Sequence, residues 1–121
     1  MFKPQRKRDY ILFLEDIISC VYKIEKYSKG KSFEEFNQDD MAVDAVIRNF
    51  EVIGEAVKNI PKDITEKYTD INWMAAARFR DILIHGYFTI DKEAVWDTIQ
   101  KDIPALKKGI IRVLDLEKSK S

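Results

Sequence analysis

The chain is predicted to fold as an all-α, up-and-down bundle of four main helices, with short helical turns in its connectors. Apolar residues recur at steps of three and four over long segments, and no stretch of useful length alternates with a period of two. The breaks between those segments carry helix-stop residues, Gly30, Pro61 and Gly86. With 121 residues the chain is long enough for one domain with its own core, taken as residues 1–121 with a frayed tail at 116–121.

The first helix is expected from about Gln5 to Tyr27. Tyr10, Leu14, Ile17, Val21 and Ile24 draw one stripe, and the Lys29–Gly30–Lys31 stretch ends it. The connector "KSFEEFNQDD" has room for a helical turn capped by Ser32. A second helix is expected to begin near Asp39 or Asp40, where acidic residues suit the helix dipole. It carries Val46, Phe50, Ile53, Val57 and Ile60 on one face, and Pro61 stops it. "PKDITEKYTD" is a polar link with space for another short turn.

Asp70 or Asn72 is positioned to cap a third helix, "WMAAARFRDILIH", and Gly86 stands where a left-handed C-terminal cap belongs. Asp91 is positioned to cap a fourth segment from Lys92 to about Glu117. Ile99, Ile103, Leu106, Ile110 and Val113 keep helical phase across Pro104, which predicts a kinked helix or two nearly collinear ones. The third helix differs from the rest. Trp73, Met74, the alanines 75–77, Phe79, Ile82, Leu83 and Ile84 leave it no polar face, so it is expected to be an interior helix. Arg78, Arg80 and Asp81 then sit at a crowded junction, where a charge needs a partner or an opening to solvent.

Composition narrows the function. Lysine plus arginine balance aspartate plus glutamate at 21 each, so bulk charge gives no attraction to nucleic acid or an anionic membrane, and RNA binding would need a local cleft. A single cysteine, Cys20, excludes an intramolecular disulfide. One histidine, His85, excludes multi-histidine zinc sites within one chain. The basic start followed by apolar residues mimics a signal peptide, but Glu15 and Asp16 interrupt it. The expectation is a soluble cytoplasmic protein without a membrane association, a metal or a cofactor.

The stretch "RFRDILIHGYF" holds the most chemistry. On an ideal helix, Arg80 and His85 are about 140° and about 7.5 Å apart, so they do not share a face; Asp81 and His85, four apart, do. Asp81 could orient the imidazole. Equally, a histidine before a glycine is an ordinary helix stop with a favourable dipole contact. Glu55, beside Gly54 in "VIGEAVKN", reads as a solvated carboxylate or as a neighbour of a close helix crossing. Tyr10, Phe50 and Trp96 fall on core stripes.

"RDILIHGYF", as Arg-x-x-x-x-His-x-Tyr, resembles the signature of the HEPN superfamily, with Arg80, Asp81 and His85 in order. Tyr87 narrows the resemblance to HepT-like toxins of MNT–HEPN toxin–antitoxin pairs. "AVIRNFEVIGEAVKNIP" resembles that group's second helix, and "INWMAAARFRDILIHGYFTID" with "VWDTIQKDIPALKK" its third and fourth. The resemblance implies a metal-independent endoribonuclease toxin, of a type VII-like system, acting as a homodimer with an Arg/His site in the cleft between subunits. It implies Arg80 and His85 as catalytic residues with Asp81 in support, and Arg78 with Arg80 on RNA. It further implies a nucleotidyltransferase antitoxin as partner, which attaches AMP to Tyr87. The alternative is a HEPN subunit that holds nucleotide or that partner without cutting RNA.

Overall fold

The computed structural model describes residues 6–80 and 91–120. Over these the chain forms α1 (Arg6–Ser28), α2 (Phe33–Gln38), α3 (Asp40–Lys58), α4 (Lys62–Lys67), α5 (Trp73–Ala77) with a 3-10 turn (Arg78–Arg80), and α6 (Lys92–Lys118). No strand occurs among the described residues, and the all-α bundle is as expected. No helix among them is long and apolar enough to cross a membrane.

The apolar stripes read from the sequence are the core. Leu14, Ile17, Val21 and Ile24 of α1, Val46, Phe50 and Ile53 of α3, and Val95, Ile110 and Val113 of α6 are all fully buried. Each such side chain contributes roughly 1.5–3 kcal/mol by leaving water, which is why periodicity alone foretold the packing. α1 and α6 run antiparallel: Tyr10, near the start of α1, bonds Glu117 at the end of α6, and Glu25 near the end of α1 pairs with Lys107 at 3.1 Å. α3 lies along α1, and α5 with its 3-10 turn lies on α3.

Local chemistry sets the boundaries. α1 ends at Gly30, whose φ of 78° is a left-handed conformation that a side chain would disfavour. Ser32 caps α2 in a full capping box: its hydroxyl accepts from the Glu35 amide at 3.1 Å, and Glu35 accepts from the Ser32 amide at 2.8 Å. Those bonds lower the Glu35 pKa. Asp39 caps α3, Asn72 caps α5 and Asp91 caps α6, each accepting an amide three residues on. α2 is pinned to α6 by Phe33 and Phe36 against Trp96, with ring centroids 6.2 and 5.2 Å apart.

Of the two forms expected for the last segment, α6 takes that of one helix through Pro104; Pro104 is exposed, and so is Gln100, whose carbonyl loses its amide partner there. Two expectations change. The helix also continues past 116, because Glu117 is buried and bonded, so residues 116–118 are not a frayed tail. Finally, the third helix is not interior on every side over its described part. Trp73, Ala76 and Phe79 are buried, but Met74 is 65% exposed and Arg78 is exposed too. Its α-helical part is short and tightens into the 3-10 turn at Arg78. The expected continuation through Asp81 and His85, and the cap at Gly86, lie outside the described residues.

Candidate functional site

Of the residues singled out from the sequence, the structure describes Arg78, Arg80 and Glu55; Asp81, His85 and Tyr87 lie outside the described residues. Arg80 closes the 3-10 turn, and two features of α3 decide where it stands. The first is Gly54. A Cβ built on it would lie 2.9 Å from the Arg80 Cβ, 3.1 Å from the Ala77 carbonyl oxygen and 3.3 Å from the Arg80 amide nitrogen. Only a residue without a side chain lets this backbone rest so close on α3. The neighbouring anchor is Phe79, buried against Phe50 with ring centroids 5.2 Å apart. Together they seat the turn.

The second feature is Glu55. The Arg80 Nη1 donates to Glu55 Oε1 at 3.0 Å and to Oε2 at 3.3 Å. The Arg80 side chain is 32% exposed and that of Glu55 57%, so the pair stands at the surface and adds little to stability. Its effect is geometric. Both carboxylate oxygens converge on one nitrogen, and among the bonds between described residues the Nε and Nη2 edge of the guanidinium is unused. That edge is the one that can grip a phosphate with two parallel hydrogen bonds. Arg80 and Glu55 line a hollow of about 280 Å³ with Arg48, Glu51 and Val52, all from α3. Arg48 pairs only loosely with Glu51, at 4.0 Å.

Arg78 points elsewhere. It is exposed and its Nη2 lies 3.4 Å from the Met74 sulfur, one helical turn back. Within one chain it does not join Arg80 in the hollow. Of the sequence-named arginines, then, Arg80 has a shaped setting and Arg78 a solvent-facing one. The two readings of Glu55 both hold: it is largely solvated, and it stands beside a close crossing.

One polar constellation was not foreseen. Glu117, 3% exposed, accepts hydrogen bonds from Tyr10 Oη at 2.7 Å, from the Tyr68 hydroxyl, and from Lys67 Nζ at 3.2 Å. Burial opposes its charge, yet the bonds from Tyr68, Tyr10 and Lys67 prevail and hold its pKa below the ordinary value. Burial first, then the bond to Glu117, drives the Tyr10 and Tyr68 phenols up. A signal was present: Glu117 continues the α6 stripe, four residues after Val113, so a carboxylate occupies a core position. The group joins α1, α4 and α6 and serves the fold.

The fold is that of an all-α bundle, and its sequence places it among HEPN-type domains. The sequence matches the family described as Ribonuclease HepT-like over residues 17–113, and the chain belongs to that family. It is 47% identical over 112 residues to "Putative RNase" of Methanocaldococcus jannaschii, covering 92% of this chain and 97% of that protein. It is 45% identical over 101 residues to "Probable ribonuclease HepT" of Thermococcus cleftensis, covering 84% and 92%. A third relative, "Gamma-glutamylcyclotransferase and putative RNase" of Methanocaldococcus jannaschii, is 40% identical over 116 residues. The match takes in 95% of this chain but 52% of that protein, so the chain spans about half of it. No solved structure matches the chain.

Proposed function

We propose that the chain is a metal-independent endoribonuclease, the toxin of a toxin–antitoxin pair, working in the cytoplasm on RNA. One observation carries the reading: a ribonuclease-family chain whose signature Arg80 is held by Glu55 through Nη1, with its Nε and Nη2 edge uncommitted among the described residues. RNA supplies its own nucleophile. The 2′-oxygen forms a bond to phosphorus as its proton leaves, and the bond from phosphorus to the 5′-oxygen breaks as that oxygen gains a proton. His85 is the proton-transfer group, since imidazole has a reference pKa near 6.5. Arg80 meets the charge that develops on the non-bridging oxygens, and Asp81 orients a partner. Arg78 serves RNA from its exposed position.

Two copies of the chain complete the site, with a two-fold axis beside the turn that carries Arg80 bringing both Arg/His pairs into one cleft. A nucleotidyltransferase antitoxin neutralises the toxin by placing AMP on the Tyr87 hydroxyl. Each AMP adds a bulky purine and roughly one negative charge, which repels RNA phosphates.

The decisive experiment is cleavage of RNA by purified, antitoxin-free protein in EDTA. Wild type is expected to cut, and Arg80→Ala or His85→Ala to stop cutting while circular dichroism shows the fold intact. Full activity in folded His85→Ala would overturn the site. A folded wild type that binds nucleotide or the antitoxin but never cuts would make it a binding subunit instead. For Tyr87, co-expression with the nucleotidyltransferase should give an adduct of AMP mass on the peptide spanning Tyr87, absent in Tyr87→Phe. An adduct on Tyr10, Tyr22, Tyr27 or Tyr68 would end that assignment.

A further inference from the structure

We infer that Glu55 is a positioning residue for Arg80: it fixes the guanidinium from the Nη1 side so that the Nε and Nη2 edge faces the scissile phosphate. The inference rests on the ribonuclease reading above and names a residue outside the Arg–Asp–His–Tyr set. Three observations converge on it. Both Glu55 oxygens bond the same nitrogen, at 3.0 and 3.3 Å, leaving the other edge uncommitted among the described residues. Gly54, the preceding residue, brings the Arg80 Cβ against α3, so the arginine starts close to Glu55 and spans a short distance. The pair also borders a hollow of about 280 Å³ open to solvent, where a phosphate could reach Arg80.

The physical argument is one of preorganisation. An arginine side chain has many rotamers, and a guanidinium free to swing would meet the phosphate in the wrong orientation most of the time. A carboxylate is a poor neighbour for RNA in the ground state, since like charges repel. Its placement here is therefore sensible only if the gain falls in the transition state. Removing Glu55 should lower turnover while leaving substrate binding unharmed, or even tighter.

The test measures steady-state cleavage of a fluorogenic RNA oligonucleotide, and binding of its 2′-O-methyl counterpart, by wild type, Glu55→Ala, Glu55→Gln and Asp44→Ala. Glu55→Ala is expected to lose about tenfold to hundredfold in kcat, with KM and the affinity for the uncleavable strand unchanged or improved. Glu55→Gln, whose amide oxygen still accepts from Nη1, should recover to within about threefold of wild type, as expected for a hydrogen-bonding role. Asp44→Ala, an exposed carboxylate on α3 outside the hollow, should stay within about twofold. Wild-type kcat in Glu55→Ala, with Arg80→Ala inactive, would overturn the inference and leave the ribonuclease reading standing. A Glu55→Ala effect confined to KM, or an equal loss in Asp44→Ala, would overturn it as well, by showing a general charge effect. If wild type itself cuts no RNA, the ribonuclease reading fails and this inference falls with it.

Discussion

Glu117 shows how one buried carboxylate can join three helices. Its oxygens take bonds from Tyr10 on α1, from Lys67 at the end of α4 and from Tyr68 just after it. Replacing it by leucine would leave two phenols short of their acceptor, and a hydrogen bond to a charged group is worth roughly 1.5–3 kcal/mol. Glu117→Leu is thus expected to lower unfolding stability by about 2–3 kcal/mol, read as a fall in the urea midpoint at unchanged slope. The pH dependence has two limbs. The folded Glu117 carboxyl ionises below its ordinary range, so its contribution is present above that range and is lost as pH falls through it. Tyr10 and Tyr68 are shifted up, so their contribution is present below about pH 10, the ordinary tyrosine value, and is lost as pH rises beyond it. Lys67, shifted up by its bond to Glu117, acts on the same alkaline side. Stability profiles of Glu117→Leu should be flatter than wild type at both ends; an unchanged acid limb would show that other carboxylates govern it.

At the scale of elements, two positions break a helix rule for different reasons, and substitution should separate them. Pro104 sits inside α6 on its exposed side, where it costs the helix an amide bond. Pro104→Ala should therefore raise stability by roughly 1–3 kcal/mol, the helix-interior cost of proline. A loss of stability on thermal unfolding would show that the helix needs its proline. Gly54 also weakens a helix, by about 1 kcal/mol relative to alanine, but the added methyl would press on the Ala77 carbonyl and the Arg80 backbone. Overpacking against backbone costs about 1–3 kcal/mol, so Gly54→Ala should be destabilising overall. It should also reduce RNA cleavage, because Arg80 would be pushed off α3. Equal or higher stability with full activity would mean that the crossing has slack. The periodic stripes, the caps at Ser32 and Asp91, and the stop at Gly30 were legible beforehand, since each depends on residues within one helical turn; Asp39 and Asn72 were each one of two candidates, beside Asp40 and Asp70. The 3-10 turn at Arg78 was not legible, since the close rest of Ala77 and Arg80 on Gly54 of α3 is a contact between distant residues.

For the molecule as a whole, the prediction concerns assembly. Arg80 and Glu55 lie on one chain, and the proposed composite cleft needs a second copy. Sedimentation equilibrium should give twice the 14.2 kDa chain mass. Met74, 65% exposed next to Arg78 on the outer side of α5, stands on the helix expected near the two-fold axis. Met74→Glu should weaken the dimer and lower cleavage in parallel, with the monomer still folded. A wild-type monomer that cuts RNA at low concentration would remove the need for a composite cleft, and a Met74→Glu dimer of unaltered strength would move the axis away from α5.

What the sequence by itself determined is the all-α class, the helix order, most boundaries and the candidate arginine. These follow from short-range causes: amphipathic spacing, capping side chains, and a signature that is contiguous in the chain. The tertiary structure alone decided that Arg80 is met by Glu55, 25 residues away, that Arg78 turns to solvent, and that Glu117 is buried instead of fraying. Such facts depend on which faces of distant helices meet and on how closely a glycine lets them approach. A periodic pattern says that a face is buried, but the partner across it is chosen only when the whole core packs.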